Sequence, residues 1–309
     1  MECFYTSDYI RHNSVSSTFK SDSWTVLNSV EQKIKEKIER IGKPLKDWAV
    51  QINYGIKTGF NEAFIIDTDI RNELIEKCPK AVEIIRPILR GRDLTRYSYH
   101  FSDLWMIITE FGSHKYLKLE YPSVYNYLLL YEERLKQRGQ CRYTSSGKPK
   151  NEKEFPGQHH WLELDNNPSK DYLNFFNKPK IVWGEISDTS KFAYDELNYY
   201  TEATTFIMTG EKLKYLLSQL NSKLLEWYFN QIGTATGVGT NRWKKYTIEL
   251  LPIKVPTESE LKLIENLVNL RILSIDRLEQ INIESEIDKI IYKLYELTDS
   301  EIAFFNSIT

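Results

Sequence analysis

The stretch from Leu213 to Pro256, LKYLLSQLNSKLLEWYFNQIGTATGVGTNRWKKYTIELLPIKVP, constrains this chain most. Two segments with apolar helical periodicity, Glu211–Leu220 and Ser222–Asn230, run into a loop punctuated by Gly233, Gly237 and Gly239. A basic-aromatic patch follows, and then an expected strand ending at Pro252. Glycine leaves such a loop without a preferred backbone conformation. The segment therefore reads as a part that presents a loop to a partner, and no catalytic motif lies within it.

The rest of the chain supplies a body for that part. Residues 1 to about 23 are rich in Ser, Thr, Asn and Asp with little periodicity, as in a lead-in arm. Leu27, Val30, Ile34, Ile38 and Ile41 recur at three- and four-residue steps, one face of an amphipathic helix stopped by Gly42 and Pro44. Ala49–Tyr54 and Ala63–Ile66 have strand character around Gly55–Asn61, for which an ordinary hairpin is the plain reading. A short helix over Ile70–Lys77, a basic turn around Pro87 and Gly91, a strand over Leu104–Thr109 and helical material over Tyr116–Arg138 follow. Further strands are expected at Trp161–Leu164, Lys180–Ile186 and Thr204–Met208. After Pro256 the pattern changes to two long helices, marked by Leu261–Ile275 and Ile283–Leu294, as in a packed hairpin or spacer. This gives an α/β (α+β) class: a lead-in arm and helix over 1–44, a mixed-sheet domain over 45–256, and a helical element over 257–309.

Composition narrows the function classes. A chain of 309 residues with 41% apolar and 27% charged side chains suits a globular protein with a sizeable core. No apolar run is long enough for a membrane span. The start MECFYTSDYIRHN lacks the charged head and apolar centre of a secretory signal. Cys3, Cys78 and Cys141 have no metal spacing, so reduced thiols and a cytoplasmic location are expected. His159 and His160 are adjacent, which on a strand sends them to opposite faces and disfavours zinc. The net charge of −2 hides two basic stretches. Arg86–Arg96 holds four arginines and one acid, and Arg134–Lys153 holds seven cations and one acid. Either can be a solvated loop or a face for an anionic partner.

Known chemistry is absent by pattern. Asn166-Asn167-Pro168-Ser169 lacks the second proline and the aromatic of the loop that grips a flipped base in amino-methyltransferases. Gly237-Val238-Gly239 is too short for a methyl-donor or dinucleotide loop. Lys57 is not in a phosphate-loop context, which ends in Gly-Lys-Ser/Thr. The Glu-x-Lys pairs at Glu31–Lys33 and Glu260–Lys262 lie on expected helices, unlike the acids of a nuclease.

In combination, Trp48–Asp67 (WAVQINYGIKTGFNEAFIID), Ile85–Tyr97 (IRPILRGRDLTRY), Lys178–Ser187 (KPKIVWGEIS), Phe206–Pro252 with its LNSKLLEWYF, and the tail Ile287–Ile302 carry a resemblance. The chain resembles, from about Ile38 onward, the C-terminal target-recognition region of TaqI-like adenine-specific DNA methyltransferases and of fused Type IIG restriction-modification enzymes. Residues 110–175 match weakly. The resemblance implies a duplex-DNA recognition module. S-adenosylmethionine, and magnesium where the parent cleaves, would belong to a methyltransferase or nuclease domain that this chain does not contain. The family does not fix which residues read bases, so candidates are ranked by chemistry. Arg242, Trp243, Lys244 and Lys245, entered through Thr240 and Asn241, suit groove entry or phosphate clamping, with anchoring of the strand end as the other reading. Lys57, Thr58 and Asn61 come next. Arg90 and Arg92 are base readers in prospect, since Arg pairs bidentately with guanine. Arg138, Arg142, Lys148 and Lys150 are expected at phosphates. Trp183 and Trp227 are expected in the core. Three other readings stay open: half of a Type I specificity subunit, an assembly module without DNA specificity, and a cryptic enzyme.

Overall fold

A computed structural model describes residues 27–143, 155–166, 168–235 and 239–307. Contacts divide the chain into two units. One comprises Ala49–Ser187 and Lys191–Leu213; the other comprises the chain up to Trp48, Asp188–Ser190 and everything from Lys214 onward. The segment Lys214–Pro256 thus groups with the terminal helices rather than with the sheet body that precedes it.

The sheet-bearing unit contains two four-stranded sheets. In the first, Val50–Tyr54, Thr205–Gly210, Lys180–Gly184 and Ala193–Asp195 lie side by side, every neighbour antiparallel. In the second the order is Ile65–Asp67, Leu104–Ile107, Ile85–Leu89 and Tyr200–Thr201, and the last pairing is parallel, so the sheet is mixed. The flanks of Gly55–Asn61 therefore belong to different sheets, and the expected hairpin does not form. Pro87, read from sequence as the centre of a turn, sits inside a strand. Ile85–Pro87 pairs with one neighbour and Ile88–Leu89 with another, so the proline lies where the strand changes partners. A residue without an N–H is tolerated at such a break. Phe64, Ile66, Leu89, Met106, Leu128, Phe176, Val182 and Ile207 fill the core of this unit. Across the first sheet, Lys180 and Asp195 form a fully buried ion pair at 2.5 Å. Asp195 also accepts from the Tyr99 hydroxyl and the Leu197 and Tyr199 amides, which satisfies a charge that burial alone would penalise.

Trp161–Leu164 is not a strand. All four side chains are buried, whereas a half-exposed strand alternates. The carbonyls of Trp161 and Glu163 turn to one guanidinium, Arg138, instead of to a ladder.

The terminal unit is helical. Ser29–Ile41 is capped by an Asn28–Glu31 capping box and buries Ile34 and Ile38, as its periodicity requires. It leads into a short strand, Gly42–Pro44, antiparallel to Pro252–Lys254. A Cβ on Gly42 would lie 2.4 Å from the Pro252 carbonyl, so only glycine permits this approach. Pro252 consequently starts a strand rather than ending one, and Lys245–Ile248 before it is helical. The hydroxyl of the buried Tyr295 accepts from the Lys254 amide at 2.9 Å and lies 2.7 Å from the Pro252 carbonyl, which fixes this strand. Glu258–Leu273 and Arg277–Leu294 form the expected pair, bridged by Arg271 and Glu284 at 2.6 Å. A third helix, Asp299–Ser307, follows. Trp227 is buried against Phe304 and Phe305, and Trp183 is buried in the other unit, both as expected of core residues. Among the described residues no helix is long and apolar enough to cross a membrane.

Candidate nucleic-acid interface

The first candidate surface is built around Gly55–Asn61 in the sheet-bearing unit. Gly55 leaves the edge strand Val50–Tyr54 so close to the Glu202 carbonyl that a Cβ would overlap it. Gly59 has φ +72°, a backbone conformation costly for any residue with a side chain. Inside this turn Thr58 is buried. Its hydroxyl donates to Asn61 Oδ1 at 2.5 Å and accepts from the Phe60 amide at 3.2 Å. Asn61 is exposed, and its amide donates to Glu202 at 3.3 Å. Lys57, 46% exposed, reaches the Asp165 carboxylate at 3.0 Å.

Arg138 holds the loop from beneath. Only 7% exposed, it donates to the carbonyls of Thr58 (2.6 Å), Trp161 (2.7 Å), Glu163 (2.7 Å) and Leu135 (3.2 Å). Burial lowers its pKa to about 10, which leaves it charged at neutral pH. The structure therefore brings Lys57, Thr58, Asn61 and Arg138 together. It gives Thr58 and Arg138 internal partners and leaves Lys57 and Asn61 at the surface.

Asp165 was not foreseen. Burial would raise its carboxyl pKa, but His159 Nε2 at 3.4 Å and the Lys57 ammonium at 3.0 Å bring it down to about 2. Its neighbour Glu163 is fully buried and accepts from the Gly112 amide, the His160 amide and His114 Nδ1 at 2.7, 3.0 and 2.5 Å. The adjacent histidines, weighed in the sequence only as metal ligands, thus serve two carboxylates beneath the loop. The spacing of His159 and His160 to Glu163 and Asp165 was the available sign.

Arg90 and Arg92 separate. Arg90 caps the turn Gly91–Asp93: its backbone amide and guanidinium both bond Asp93, at 2.8 and 3.2 Å. Burial works against the Asp93 charge, yet these bonds and one from Ser102 hold its pKa below the usual carboxylate value. Arg92 is exposed. Arg142 is also exposed, beside the Tyr143 ring. Lys148 and Lys150 lie outside the described residues.

The second surface is in the terminal unit. Gly233 ends the helix Lys223–Ile232, and Thr234–Ala235 pairs antiparallel with Asn241–Arg242. Thr240 is partly buried, and Asn241 Nδ2 donates to Asn230 at 2.6 Å. Trp243 is buried and stacks on Phe229, centroids 3.9 Å apart and planes 9° from parallel. It is the anchor of the patch. Arg242, Lys244 and Lys245 surround it, each partly exposed; Lys245 lies 3.7 Å from Glu249. Tyr246, which the sequence did not single out, is 57% exposed, with Lys244 over its ring.

Residues 86–253, more than half of the chain, match the family model of the TaqI-like C-terminal specificity domain. The chain belongs to this family. Over 257 residues, 80% of this chain and 79% of that protein, it is 25% identical to the Type II methyltransferase M.MjaIV of Methanocaldococcus jannaschii. The fold of this TaqI-like specificity domain is similar to that of the Type IIL restriction-modification enzyme MmeI, solved in complex with DNA, at TM-score 0.59 and 13% identity over 86% of this chain. The type IIG restriction endonuclease BpuSI aligns over 87% of this chain at TM-score 0.49 and 13% identity. The chain spans 36% and 33% of those two longer chains.

Proposed function

We propose that this TaqI-like specificity domain recognises a short duplex DNA sequence for a restriction-modification enzyme and holds it so that a target adenine reaches a methyltransferase site elsewhere in that enzyme. The observation that carries this reading is the division of labour within each basic loop. A buried residue, Arg138 or Trp243, fixes the backbone, and neighbouring polar or cationic side chains stay at the surface. Fixed backbone with accessible cations suits phosphate contacts that set register, and side chains that reach base edges. DNA bound to MmeI, a protein of similar fold, supports the same direction.

Lys57, Asn61, Arg92, Arg142, Arg242, Lys244 and Lys245 are the proposed contacts. Thr58, Arg90, Arg138, Trp243 and Asn241 position them, and Lys148 and Lys150 complete the basic stretch of the sequence. S-adenosylmethionine, and magnesium for a cleaving parent, are assigned to the catalytic part of that enzyme. Among the described residues no group of His, Cys, Asp and Glu is placed to hold a metal, and no function proposed for this chain requires one.

The test is selection from random duplex DNA at two salt concentrations, with sequencing of the retained fraction. An enriched motif and affinity that falls steeply with salt are expected. Salt-sensitive binding without enrichment assigns specificity to another part of the restriction-modification enzyme. Absence of binding at low salt would favour an assembly module.

A further inference from the structure

A cavity of about 370 Å³ opens beside the Gly55–Asn61 loop, entirely within the sheet-bearing unit. Asn53, Tyr54, Lys57, Asp165, Asn166 and Tyr172 are among its lining residues. Its size is in the lower part of the roughly 300–1,000 Å³ range of small-ligand sites. The walls are stiff. Tyr54 packs on Phe206 with ring centroids 4.7 Å apart, and the Tyr172 hydroxyl donates to the Tyr54 carbonyl at 2.6 Å. Asn166 has φ +61° and its amide donates to Asp165 Oδ1 at 3.0 Å, so the turn that carries Asp165 is closely defined. Asn166, Pro168 and Ser169, from the stretch that lacks the methyltransferase-loop pattern, line one side of this cavity.

Two features call for a ligand with both a donor and an acceptor on one edge. Asn53 Nδ2 is buried and has no hydrogen-bond partner among the described residues. A buried donor left unsatisfied destabilises a fold, and each such group needs a reason. Asp165 is an ionised acceptor that three partners, His159, Lys57 and the Asn166 amide, approach without exhausting a carboxylate's lone pairs. An aromatic side chain, Tyr54, remains 56% exposed beside them. At the rim stands Lys57, already placed among the DNA contacts.

We propose that this cavity receives one unstacked nucleobase of the bound DNA. Asn53 donates to a ring nitrogen or carbonyl of the base, Asp165 accepts from its amino or imino N–H, and Lys57 meets the phosphate that the extruded nucleotide brings with it. Every base carries a donor and an acceptor on its pairing edge, and a base that has left the stack can bring that edge into a cavity, whereas a base held in the duplex offers such a combination only on its groove edge. The inference rests on the DNA reading above.

Binding of the purified chain to a set of otherwise identical duplexes tests it, four with a single bulged base (A, C, G or T) and one without. A bulge supplies a base whose extrusion costs little. At least one bulged duplex should bind about tenfold tighter than the plain one. Asn53→Leu should abolish that excess, keep the affinity for the plain duplex, and melt no lower than the wild type, because it replaces an unsatisfied donor by an apolar group of similar shape. Asn53→Ala is the second variant should leucine disturb the edge strand, with loss of the same excess expected. Equal affinity for all five duplexes, or an excess that survives both substitutions, overturns the cavity's role while leaving DNA recognition intact. No affinity for any duplex overturns DNA recognition and the inference together.

Discussion

Two glycine-containing basic loops look alike as sequence and are built in opposite ways. Gly55–Asn61 is held by polar groups: Arg138 binds its backbone from below, Asp165 binds Lys57, and Thr58 closes the turn on Asn61. The patch after Gly233 is held by an apolar stack, Trp243 on Phe229, with a two-residue strand pairing at its base. The polar support is geometrically exacting and, through the Lys57–Asp165 pair, sensitive to pH. The apolar support depends on one buried indole.

The largest expected effect falls on the polar support. Arg138→Ala strands the carbonyls of Thr58, Trp161 and Glu163 in the interior and should lower unfolding free energy by about 4 kcal/mol. Arg138→Lys should recover only part, because a point charge cannot reproduce the guanidinium fork. Chemical denaturation measures both; a wild-type midpoint for Arg138→Ala would mean that the loop does not depend on this residue. Trp243→Ala comes next, at about 3 kcal/mol, from loss of a buried indole and its stack. Trp243→Phe should cost far less if apolar filling is what matters there. Parallel losses for Phe and Ala would break the contrast by showing that the indole N–H matters as well.

Acid should separate the two supports. The carboxyl of Asp165 has its pKa lowered to about 2 in the folded chain, below its ordinary value. A depressed carboxylate contributes stability that is complete above the unfolded pKa and is lost as pH falls through the folded one. The loss should therefore run from about pH 4 down to about pH 2 and amount to roughly 2 kcal/mol. Asp165→Asn should flatten that part of the curve, whereas Trp243→Ala should shift the whole curve down without changing its slope. An unchanged acid slope in Asp165→Asn would assign the pH dependence to other carboxylates.

Much of the scaffold was legible because its periodicity is local. Ile34 and Ile38, or Trp227 beside its apolar neighbours, lie where a 3.6-residue period puts them. What failed depended on partners distant in sequence. Trp161–Leu164 has the composition of a strand, but the Arg138 side chain takes two of its carbonyls. Pro87 lies in a strand because the pairing changes just after it. Among the candidate residues, basic character identified which loops to consider and could not say which cations face inward. Arg138 and Arg142 lie four residues apart in one basic run, yet one is buried and the other exposed. The family resemblance named the class of partner, while the carboxylate that positions Lys57, Asp165, lies in the weakly matching region.

The smallest effects are those that sharpen the comparison on the DNA itself. Single replacements of Arg242 or Lys244 by alanine, with the anchor intact, should leave unfolding free energy within about 0.5 kcal/mol of wild type, whereas Lys57→Ala should cost more because it leaves the buried Asp165 carboxylate without its ammonium partner. A residue that only meets phosphate should weaken binding evenly across sequences and reduce the salt dependence by about one unit of slope. A residue that reads a base should instead relax the preference at one position of the selected motif. The fixed loop carries Lys57 at the rim of a cavity, so Lys57→Ala should fall in the second group in part, altering preference as well as affinity. Arg242 and Lys244, beside the Trp243 anchor, should fall in the first. If all three behave as phosphate contacts, the difference in how the loops are built has no counterpart in what they read.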